Sequence, residues 1–340
     1  MKIKKIIYCS NMSGYADRTL SLLEGAGVDI VGVFLMAEDY YQLNKTFFRR
    51  MLEKGLACDL QNYFKGRKYP VTVIGNINSP EVLEKIDVIA PDLIVNNGMM
   101  FIYKNDVLQR CTVLNTHSGH LPYYRGRCGA SWAIYNGEHS YGITCHLMDE
   151  GIDSGSIVTQ QIIEIEKGDY VYDLLLKEKE LFPPLIRDAV LKLNDFTFAP
   201  QPQSKYEGSY FPVLNSEVDG IIDWGREPSE RIYNKIRAFS FPYAGAFSIK
   251  NGKKYVISRA RLPHTNRFVC AEPGIVFGET EDGGVKVSTV DGYIIIEKII
   301  GEDTELTPAT EWKQGSWIST NYLKELISIK TTGKTTHDLL

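Results

Sequence analysis

The 340-residue sequence has no run of about 18 consecutive apolar residues, so it predicts no membrane-spanning helix. The opening residues, MKIKKIIYCSNMSG, place lysines before an apolar run that is too short for a secretion signal. The six cysteines are scattered, and no pair has the C-x-x-C spacing, which argues against a disulfide framework or a zinc site. Reduced thiols and a cytoplasmic location are therefore expected.

A surplus of positive charge is missing as well. The chain carries 38 Lys and Arg against 42 Asp and Glu, a net charge of −4. Proteins that bind nucleic acids usually carry a basic surplus, so the balance argues against a nucleic-acid partner. The hydrophobic content of 44% is ordinary for a globular protein, and a chain of this length buries a large core.

What the first half does contain is an alternation of continuous apolar runs with helical patterns, which predicts an α/β domain with a mostly parallel sheet buried on both faces. The predicted strands are 3–9, 28–36, 70–75, 91–97, 112–117, 142–148 and 156–165. The predicted helices are 16–25, 40–65, 79–87, 128–136 and 169–195.

The composition changes near residue 196, where a segment with three prolines and little periodicity predicts a linker over 196–215. A helix (228–239) and several short strands with Gly-containing turns then indicate a small β-barrel over 216–305. The last 35 residues, 306–340, are interpreted as a tail that frays at its end.

One stretch carries an unusual density of hydrogen-bonding side chains, 115-NTHSGHLPYYRGR-127, directly after a predicted buried strand. Ligands of open α/β sheets bind beyond the carboxyl ends of the strands, which is where Asn115 and His117 lie. A second polar stretch, 149-DEGIDSG-155, follows a later strand and offers Asp149, Glu150 and Asp153. An amide, an imidazole and a carboxylate are therefore expected to converge on one crevice.

These residue types suit the direct transfer of an acyl group to an amine. An Asn amide and an imidazole N–H stabilise the oxyanion of a tetrahedral intermediate, and a histidine accepts the proton that the amine loses. A carboxylate orients that histidine or relays the proton. Two alternatives stay open at this point: ordinary turn chemistry, and a metal site formed by His117, His120 and Asp153, for which the spacing is not diagnostic.

The stretch NTHSGHLPYYRG resembles the signature N-x-H-P-S-L-L-P-x-Y-R-G of the folate-dependent formyltransferases. The similarity continues through WAIYNGEHSYGITCHLMDEGIDSGSI and into GIIDWGREPSERIYNKIRAFSFPYAGAF, which is similar to the segment that opens the C-terminal domain of methionyl-tRNA formyltransferase. The three matched segments occur in the family's order and cover roughly residues 1–300. They are far more specific together than any single motif.

The resemblance implies a Rossmann-like catalytic domain over 1–195, a barrel-like (OB-like) C-terminal domain and 10-formyltetrahydrofolate as the formyl donor. The family's catalytic Asn, His and Asp correspond to Asn115, His117 and Asp153. The segment NNGMMFIY corresponds to the one whose backbone holds the pterin ring, so Met100, Phe101 and Tyr103 are predicted cofactor contacts. Asp149, from the stretch DEGIDSG, is a further predicted cofactor contact. The predicted substrate contacts, for stacking and for phosphate, are Ser10, Asn11, Tyr123, Tyr124 and Arg125. No metal is expected.

The departures from the family pattern bear on the acceptor. Ser118, Gly119 and His120 replace the usual Pro, Ser and Leu, and the G-T-P-x-F string of the tRNA-formylating branch is missing. Residues 206–340 carry 16 Lys and Arg against 18 Asp and Glu, whereas a tRNA substrate is held largely through its phosphates. The sequence thus favours a nucleotide-linked amino sugar as acceptor, in a pathway such as O-antigen biosynthesis.

Two alternatives remain for the function: methionyl-tRNA formyltransferase itself, and a non-catalytic binding or scaffold protein, against which the intact Asn115, His117 and Asp153 argue. For the second domain, two roles stay open, a contact in a homodimer or a part of the acceptor site.

Overall fold

The structure is a computed structural model that describes residues 3–11, 13–37, 45–204, 206–250, 252–265, 272–302, 304–316 and 318. Two compact units are present. The first comprises Met1–Ala130, Ser140–Ile165 and Asp173–Pro212, and the second comprises Ser131–His139, Glu166–Tyr172 and Val213–Leu340.

The strands of the first part of the chain are β1 Lys5–Ser10, β2 Asp29–Met36, β3 Val71–Ile74, β4 Leu93–Asn97, β5 Val113–His117, β6 Arg125–Gly126, β7 Ser140–Leu147, β8 Ile157–Glu164 and β9 Tyr210–Phe211. The helices there are α1 Ala16–Gly25, α2 Lys45–Glu53, α3 Leu60–Phe64, α4 Pro80–Ile89, α5 Asn105–Leu108, α6 Gly129–Asn136 and α7 Val171–Leu193.

Seven of these strands form one sheet in the order β3-β2-β1-β4-β5-β7-β8. The strands from β3 to β5 are parallel, whereas β7 runs antiparallel to both of its neighbours. The chain builds outward from β1 to β3 and then returns to β4 on the other side of β1. The β1/β4 boundary is therefore the topological switch point, where open α/β sheets leave a crevice at the strands' carboxyl ends.

Apolar side chains on the strands explain why this sheet is buried. All five residues of β4 are buried, as are all residues of β1 after Lys5, the pattern of a strand covered on both faces. One large core cluster joins Ile7 and Phe34 with side chains from α4 and the segment around Tyr103. Helix α4, predicted over 79–87, begins at Pro80, with Ser79 at the N-cap.

The second part of the chain contains α8 Ser216–Asp219, α9 Ser229–Ala238, β10 Ala246–Lys250, β11 Lys253–Arg261, β12 Val276–Glu279, β13 Val285–Ser288, β14 Tyr293–Gly301, β15 Thr304–Leu306 and α10 Pro308–Glu311. The six strands form one antiparallel sheet in the order β10-β11-β14-β13-β12, with β15 paired to β14. The predicted fold class, a Rossmann-like α/β domain with a mostly parallel sheet followed by a smaller β domain, is confirmed, and the strands described in the second domain form an antiparallel sheet.

Three segments differ in detail from the sequence-based prediction. The long helix predicted over 40–65 is two helices, α2 and α3, separated by a turn around Gly55, which has a φ of +67°; residues 38–44 lie outside the described part. Residues 196–212 of the predicted linker belong to the first unit, where β9 pairs with β6. In the predicted tail, Trp312 and Ile318 are buried, and residues 319–340 lie outside the described part.

Within the described residues, no helix combines the length and the apolar character that crossing a bilayer requires.

Candidate active site

The polar residues at the end of β5 face a common crevice because of strand geometry. Side chains two residues apart point to the same face of a strand, so Asn115 and His117 share one face. On the neighbouring strand β7, His146 is the register partner of Asn115. The Asn115 Nδ2 atom lies 3.0 Å from Nε2 of His146.

Asp153 reaches the same group from the turn between β7 and β8. Its Oδ2 atom lies 3.5 Å from Nδ1 of His117 and accepts a 2.9 Å hydrogen bond from the Gly126 N–H. Its Oδ1 atom lies 3.4 Å from His146 Nε2 and 3.4 Å from Asn115 Nδ2. The predicted catalytic trio is therefore one contiguous group, in which 13% of the Asp153 side chain is exposed.

The hydrogen-bond partners of the two histidines indicate where their protons lie. Nε2 of His117 is 2.7 Å from the Tyr124 carbonyl oxygen, which only accepts, so Nε2 carries a hydrogen. In the neutral ring, Nδ1 is then unprotonated and faces the Asp153 carboxylate. His146 lies between several partners: its Nδ1 atom is 2.9 Å from the Leu147 carbonyl oxygen, and its Nε2 atom is 3.0 Å from Asn115 Nδ2 and 3.4 Å from Asp153 Oδ1. The His117–Asp153 contact thus has room for one additional proton, between Nδ1 of His117 and Oδ2 of Asp153.

The electrostatics keep that proton position empty near neutral pH. Burial lowers the pKa of His117, and the nearby Asp153 carboxylate offsets only part of this effect. Burial alone would raise the pKa of Asp153, but the two histidines and the Gly126 N–H outweigh it, so that pKa is lowered. Near neutral pH, His117 is therefore uncharged and Asp153 is ionised, so the pair is able to accept a proton, as a general base requires.

A chain of buried amides orients Asn115, and the sequence-based prediction did not include it. Tyr103 Oη donates to Asn96 Oδ1 at 3.2 Å, and Asn96 Nδ2 donates to Asn115 Oδ1 at 2.8 Å. With its oxygen occupied in this way, Asn115 turns its Nδ2 donor toward His146 and Asp153. Asn96 and His146 are the residues missed here; the register of β5 with β4 and β7 would have located both.

Ser118 and Gly119, which depart from the family pattern, are held by side chains from α7 and β7. The Ser118 hydroxyl donates to the buried carboxyl of Glu178 on α7, which also accepts from Tyr141 Oη at 3.0 Å. Thr144 Oγ1 donates to the Gly119 carbonyl oxygen at 2.7 Å. A Cβ atom on Gly119 would lie 2.5 Å from His117 Nε2, so this position has no room for a side chain. These contacts fix the backbone beside the His117 ring.

The predicted cofactor residues lie in different surroundings. Met100 is 39% exposed and lies 2.9 Å from Arg127 through its sulfur, whereas Phe101 packs partly buried against the core. Tyr103 is buried and bonded to Asn96, so it contacts the catalytic group indirectly. The Asp149 carboxylate accepts from Gly151 N at 3.0 Å and from the Ser154 hydroxyl at 2.6 Å within its own turn.

The predicted substrate residues fall on two sides of the crevice. Ser10 is buried and donates to the Asn97 carbonyl oxygen, and Asn11 follows it at the end of β1. On the other side, Tyr123 is 49% exposed, and Tyr124 stacks on Phe211 with 4.7 Å between ring centroids. Their roles toward a substrate stay a prediction.

Arg125 is engaged within the protein. Its Nε and Nη2 atoms donate to Gln203 Oε1 at 3.2 and 2.8 Å, and Nη2 also reaches the Ser204 carbonyl oxygen. Gln203 is a further residue that the sequence-based prediction missed. Among the described residues, no group of three or more His, Cys, Asp and Glu side chains is arranged to hold a metal ion.

Two sequence profiles match most of this architecture: "Formyl transferase" over residues 70–184 and "Formyl transferase, C-terminal domain" over residues 216–316. Methionyl-tRNA formyltransferase of Syntrophus aciditrophicus is 32% identical over 253 residues, 74% of this chain and 79% of the relative. The enzyme of the same name from Ruminiclostridium cellulolyticum is 28% identical over 246 residues, 72% of this chain and 78% of the relative.

Solved structures share the fold at lower identity. The sugar 3N-formyltransferase WlaRD, crystallised with dTDP and 5-N-formyl-THF, has a TM-score of 0.63 at 20% identity and matches 89% of this chain and 99% of its own. An N-formyltransferase of Helicobacter canadensis, in complex with folinic acid and dTDP-3-aminofucose, has a TM-score of 0.62 at 23% identity, with coverages of 86% and 98%.

HypX of Aquifex aeolicus has a TM-score of 0.56 at 20% identity; 91% of this chain matches it, yet this chain spans about half, 48%, of HypX. The two profiles together match most of the chain, and the Syntrophus relative is 32% identical over 79% of its own length. This protein belongs to the formyltransferase family that includes methionyl-tRNA formyltransferase, and it is an enzyme of that family.

Proposed function

We propose that this enzyme transfers the formyl group of 10-formyltetrahydrofolate to the amine of a nucleotide-linked amino sugar. The observation that carries formyl transfer is the contact of Asn115, His117 and Asp153, with no side chain interposed between the carboxylate and either partner. The reaction forms a bond from the acceptor nitrogen to the formyl carbon and breaks the bond from that carbon to N10 of the donor. The acceptor nitrogen loses one proton, and N10 gains one.

The His117–Asp153 pair is the group proposed to take the proton from the acceptor amine. Its lowered pKa values leave His117 neutral and Asp153 ionised near pH 7, and only 7% of the His117 side chain and 13% of the Asp153 side chain are exposed. A proton shared between these two atoms is stabilised by both, so the pair is a stronger base than the buried imidazole alone. The same pair returns the proton to the departing nitrogen.

Asn115 is proposed to stabilise the oxyanion that develops on the formyl oxygen. Of its two Nδ2 contacts, the one to Asp153 is the longer, 3.4 Å against 3.0 Å to His146. A substrate oxygen would therefore replace the Asp153 contact at little cost, while Asn96 keeps the amide in its orientation. A donor already held in place requires no reorganisation during the reaction, which is the basis of oxyanion stabilisation.

The surroundings of the polar group fit a folate. Met100, at 39%, and Ile152, at 52%, expose apolar side chains on the loops that follow β4 and β7. Such side chains suit the flat aromatic parts of the donor, and Arg127 beside Met100 suits its carboxylates. Met100 and Phe101 are the residues proposed to hold the ring system, with Asp149 at the opposite loop.

The charges of the second unit support a small acceptor over a tRNA. Six of its described Lys and Arg side chains pair with carboxylates, at distances from 2.5 to 4.0 Å: Arg226, Lys235, Lys253, Lys254, Arg261 and Lys298. Cations that are already neutralised by carboxylates attract phosphates weakly, and the region has no net positive charge in the sequence.

One observation favours the second candidate, methionyl-tRNA formyltransferase. Residues 49–68 carry six Lys and Arg against two Asp and Glu, although Arg49, Arg67 and Lys68 each pair with a carboxylate at 2.6 to 4.0 Å. This segment meets the loop after β1 through the 3.2 Å bond from the Gly14 N–H to the Leu56 carbonyl oxygen. A basic surface beside the crevice suits the two phosphates of a sugar nucleotide or the backbone of a tRNA. The named sequence relatives, at 28–32% identity, share that second activity.

The two candidates separate in one assay of the purified chain with 10-formyltetrahydrofolate. Amino sugars linked to dTDP, UDP or GDP, and methionyl-tRNA, are offered in parallel, and formylated product is measured by mass spectrometry. Turnover of at least one sugar nucleotide and none of the tRNA is the expected result, with Asn115→Ala as the inactive control. Formylation of the tRNA alone, with a rate that falls steeply as salt is added, would instead establish the second candidate.

A further inference from the structure

The side chain of Gln203 joins two loops that meet at Asp153. Its Nε2 atom donates to the backbone carbonyl oxygens of Asp153, at 2.9 Å, and of Gly155, at 2.6 Å. Its Oε1 atom accepts twice from Arg125, the residue before Gly126. Both hydrogens and both lone-pair positions of the amide are thus used, so the orientation of the side chain is fully determined.

The loop that Gln203 contacts has an uncommon backbone conformation at Asp153. Asp153 has a φ of +50°, a left-handed conformation that is uncommon for residues other than glycine, although Asp adopts it more readily than most. A backbone in this conformation persists only where its surroundings fix it. The carboxylate that extends from this residue is the one that lies 3.5 Å from His117 Nδ1.

Gln203 also holds, through Arg125, the backbone segment that binds the Asp153 carboxylate. Arg125 and Gly126 form β6, and the Gly126 N–H donates to Asp153 Oδ2 at 2.9 Å. One amide therefore sets the position of the Asp153 backbone and of the peptide that binds its carboxylate. A displacement of about 1 Å at a reacting group is enough to cost a large factor in rate.

We propose that Gln203 is a positioning residue of this active site, which holds Asp153 against His117 through its bonds to the Asp153 and Gly155 carbonyl oxygens. The proposal rests on the proposed formyl transfer for its effect on rate, but not for its effect on the His117–Asp153 contact. The segment that contains Gln203 includes none of the three proposed catalytic residues, Asn115, His117 and Asp153.

Two variants separate the bonds that Gln203 makes. Gln203→Leu keeps the approximate volume and loses every hydrogen bond, whereas Gln203→Glu keeps an acceptor for Arg125 and loses both donations to the carbonyl oxygens. Gln201→Ala is the matched control, because the Gln201 side chain is exposed and its two 2.8 Å bonds with Ile157 are made by the backbone. Circular dichroism checks that all three variants are folded.

The first measurement is the NMR titration of His117 in ¹⁵N-histidine-labelled protein without substrates, with the His117→Asn variant to identify its signals among the six histidines. The Asp153 carboxylate raises the His117 pKa against the effect of burial, so a displaced carboxylate lowers it further. A lower His117 pKa is expected in Gln203→Leu and the wild-type value in Gln201→Ala. An unchanged titration in Gln203→Leu would overturn the proposal.

The second measurement is turnover. On the order of a tenfold lower kcat is expected in both Gln203→Leu and Gln203→Glu, because Asp153 is displaced from His117 in both variants. Wild-type kcat in Gln203→Glu would overturn the proposal, since it would mean that only the Arg125 contact matters. If His117 titrates as expected but no acceptor is formylated, the proposed function fails while the positioning role stands.

Discussion

Glu178 gives the most direct physical test of the structure, because a buried carboxyl makes stability depend on pH. It is 7% exposed, and burial raises its pKa from 4.5 to about 7, although the hydrogen bonds from Ser118 and Tyr141 act in the opposite direction. The substitution is Glu178→Gln. Both hydroxyls donate to Oε1, an acceptor that glutamine retains, so the variant removes the ionisation and keeps the contacts.

The magnitude follows from the two pKa values. The unfolded chain releases this proton near pH 4.5, whereas the folded protein keeps it up to about pH 7. Within that window the unfolded state binds fewer protons, so the free energy of unfolding falls as the pH rises. The stabilisation is complete below 4.5 and lost above about 7. At about 1.4 kcal/mol for each pH unit between the two values, the loss amounts to about 3 kcal/mol.

The assay is equilibrium urea unfolding of wild type and Glu178→Gln at about pH 4.5 and about pH 8.5. The stability of the variant relative to wild type is expected to rise by about 3 kcal/mol between these two pH values, because only the wild type loses stability through this group. Glu180→Gln on the same helix is the control. The Glu180 side chain is 65% exposed in its ion pair with Arg18, so its substitution changes stability by only a few tenths of a kcal/mol. A stability difference between Glu178→Gln and wild type that is the same at both pH values would refute the reasoning.

Three further predictions concern the catalytic group. Asp153→Asn removes the proton-accepting carboxylate, so turnover is expected to fall by ~10²-fold or more while a thermal-shift assay still detects binding of a folate analogue; a full-speed variant would contradict the role given to Asp153. Gly119→Ala places a Cβ atom 2.5 Å from His117 Nε2 and is expected to lower kcat at least ~10-fold, whereas Gly168→Ala, with no atom within 4 Å of its new Cβ, leaves kcat unchanged. Burial lowers the pKa of His117, so the acidic limb of the profile of kcat/KM against pH is expected to have its midpoint below the usual histidine pKa of ~6.5. A midpoint above ~6.5 would contradict this expectation.

The sequence was sufficient to predict the elements that depend on local pattern. Continuous apolar runs located every strand of the parallel sheet. A strand buried on both faces, such as β4, leaves this mark in the sequence itself, and the edge strand β3 carries an apolar run although Val71 and Val73 are exposed. The end of β5 was found in the same way, and the family resemblance assigned Asn115, His117 and Asp153 before their contact was known. That contact is confirmed by the geometry, while the catalytic roles themselves stay predictions.

The residues that the sequence did not reveal are those whose position depends on register or on distant segments. His146 lies in a predicted strand, but only its pairing opposite Asn115 brings it into the site. Asn96 supports Asn115 through a bond between residues 19 positions apart. Gln203 lies in a segment without periodicity, and irregular segments give no local sign of what they will contact. Each of these depends on tertiary contacts that no window of sequence contains.

The placement of residues 196–212 also bears on how this family can be recombined. Through the pairing of β9 with β6 they belong to the first unit, although their composition is that of a linker. A chimaera that borrows from a relative the part of the second unit that follows Pro212 should therefore be spliced at that residue. A splice at residue 195 would import foreign residues opposite Tyr124 and remove its stacking partner, Phe211. Loss of activity in such a hybrid would say nothing about the domain that was exchanged.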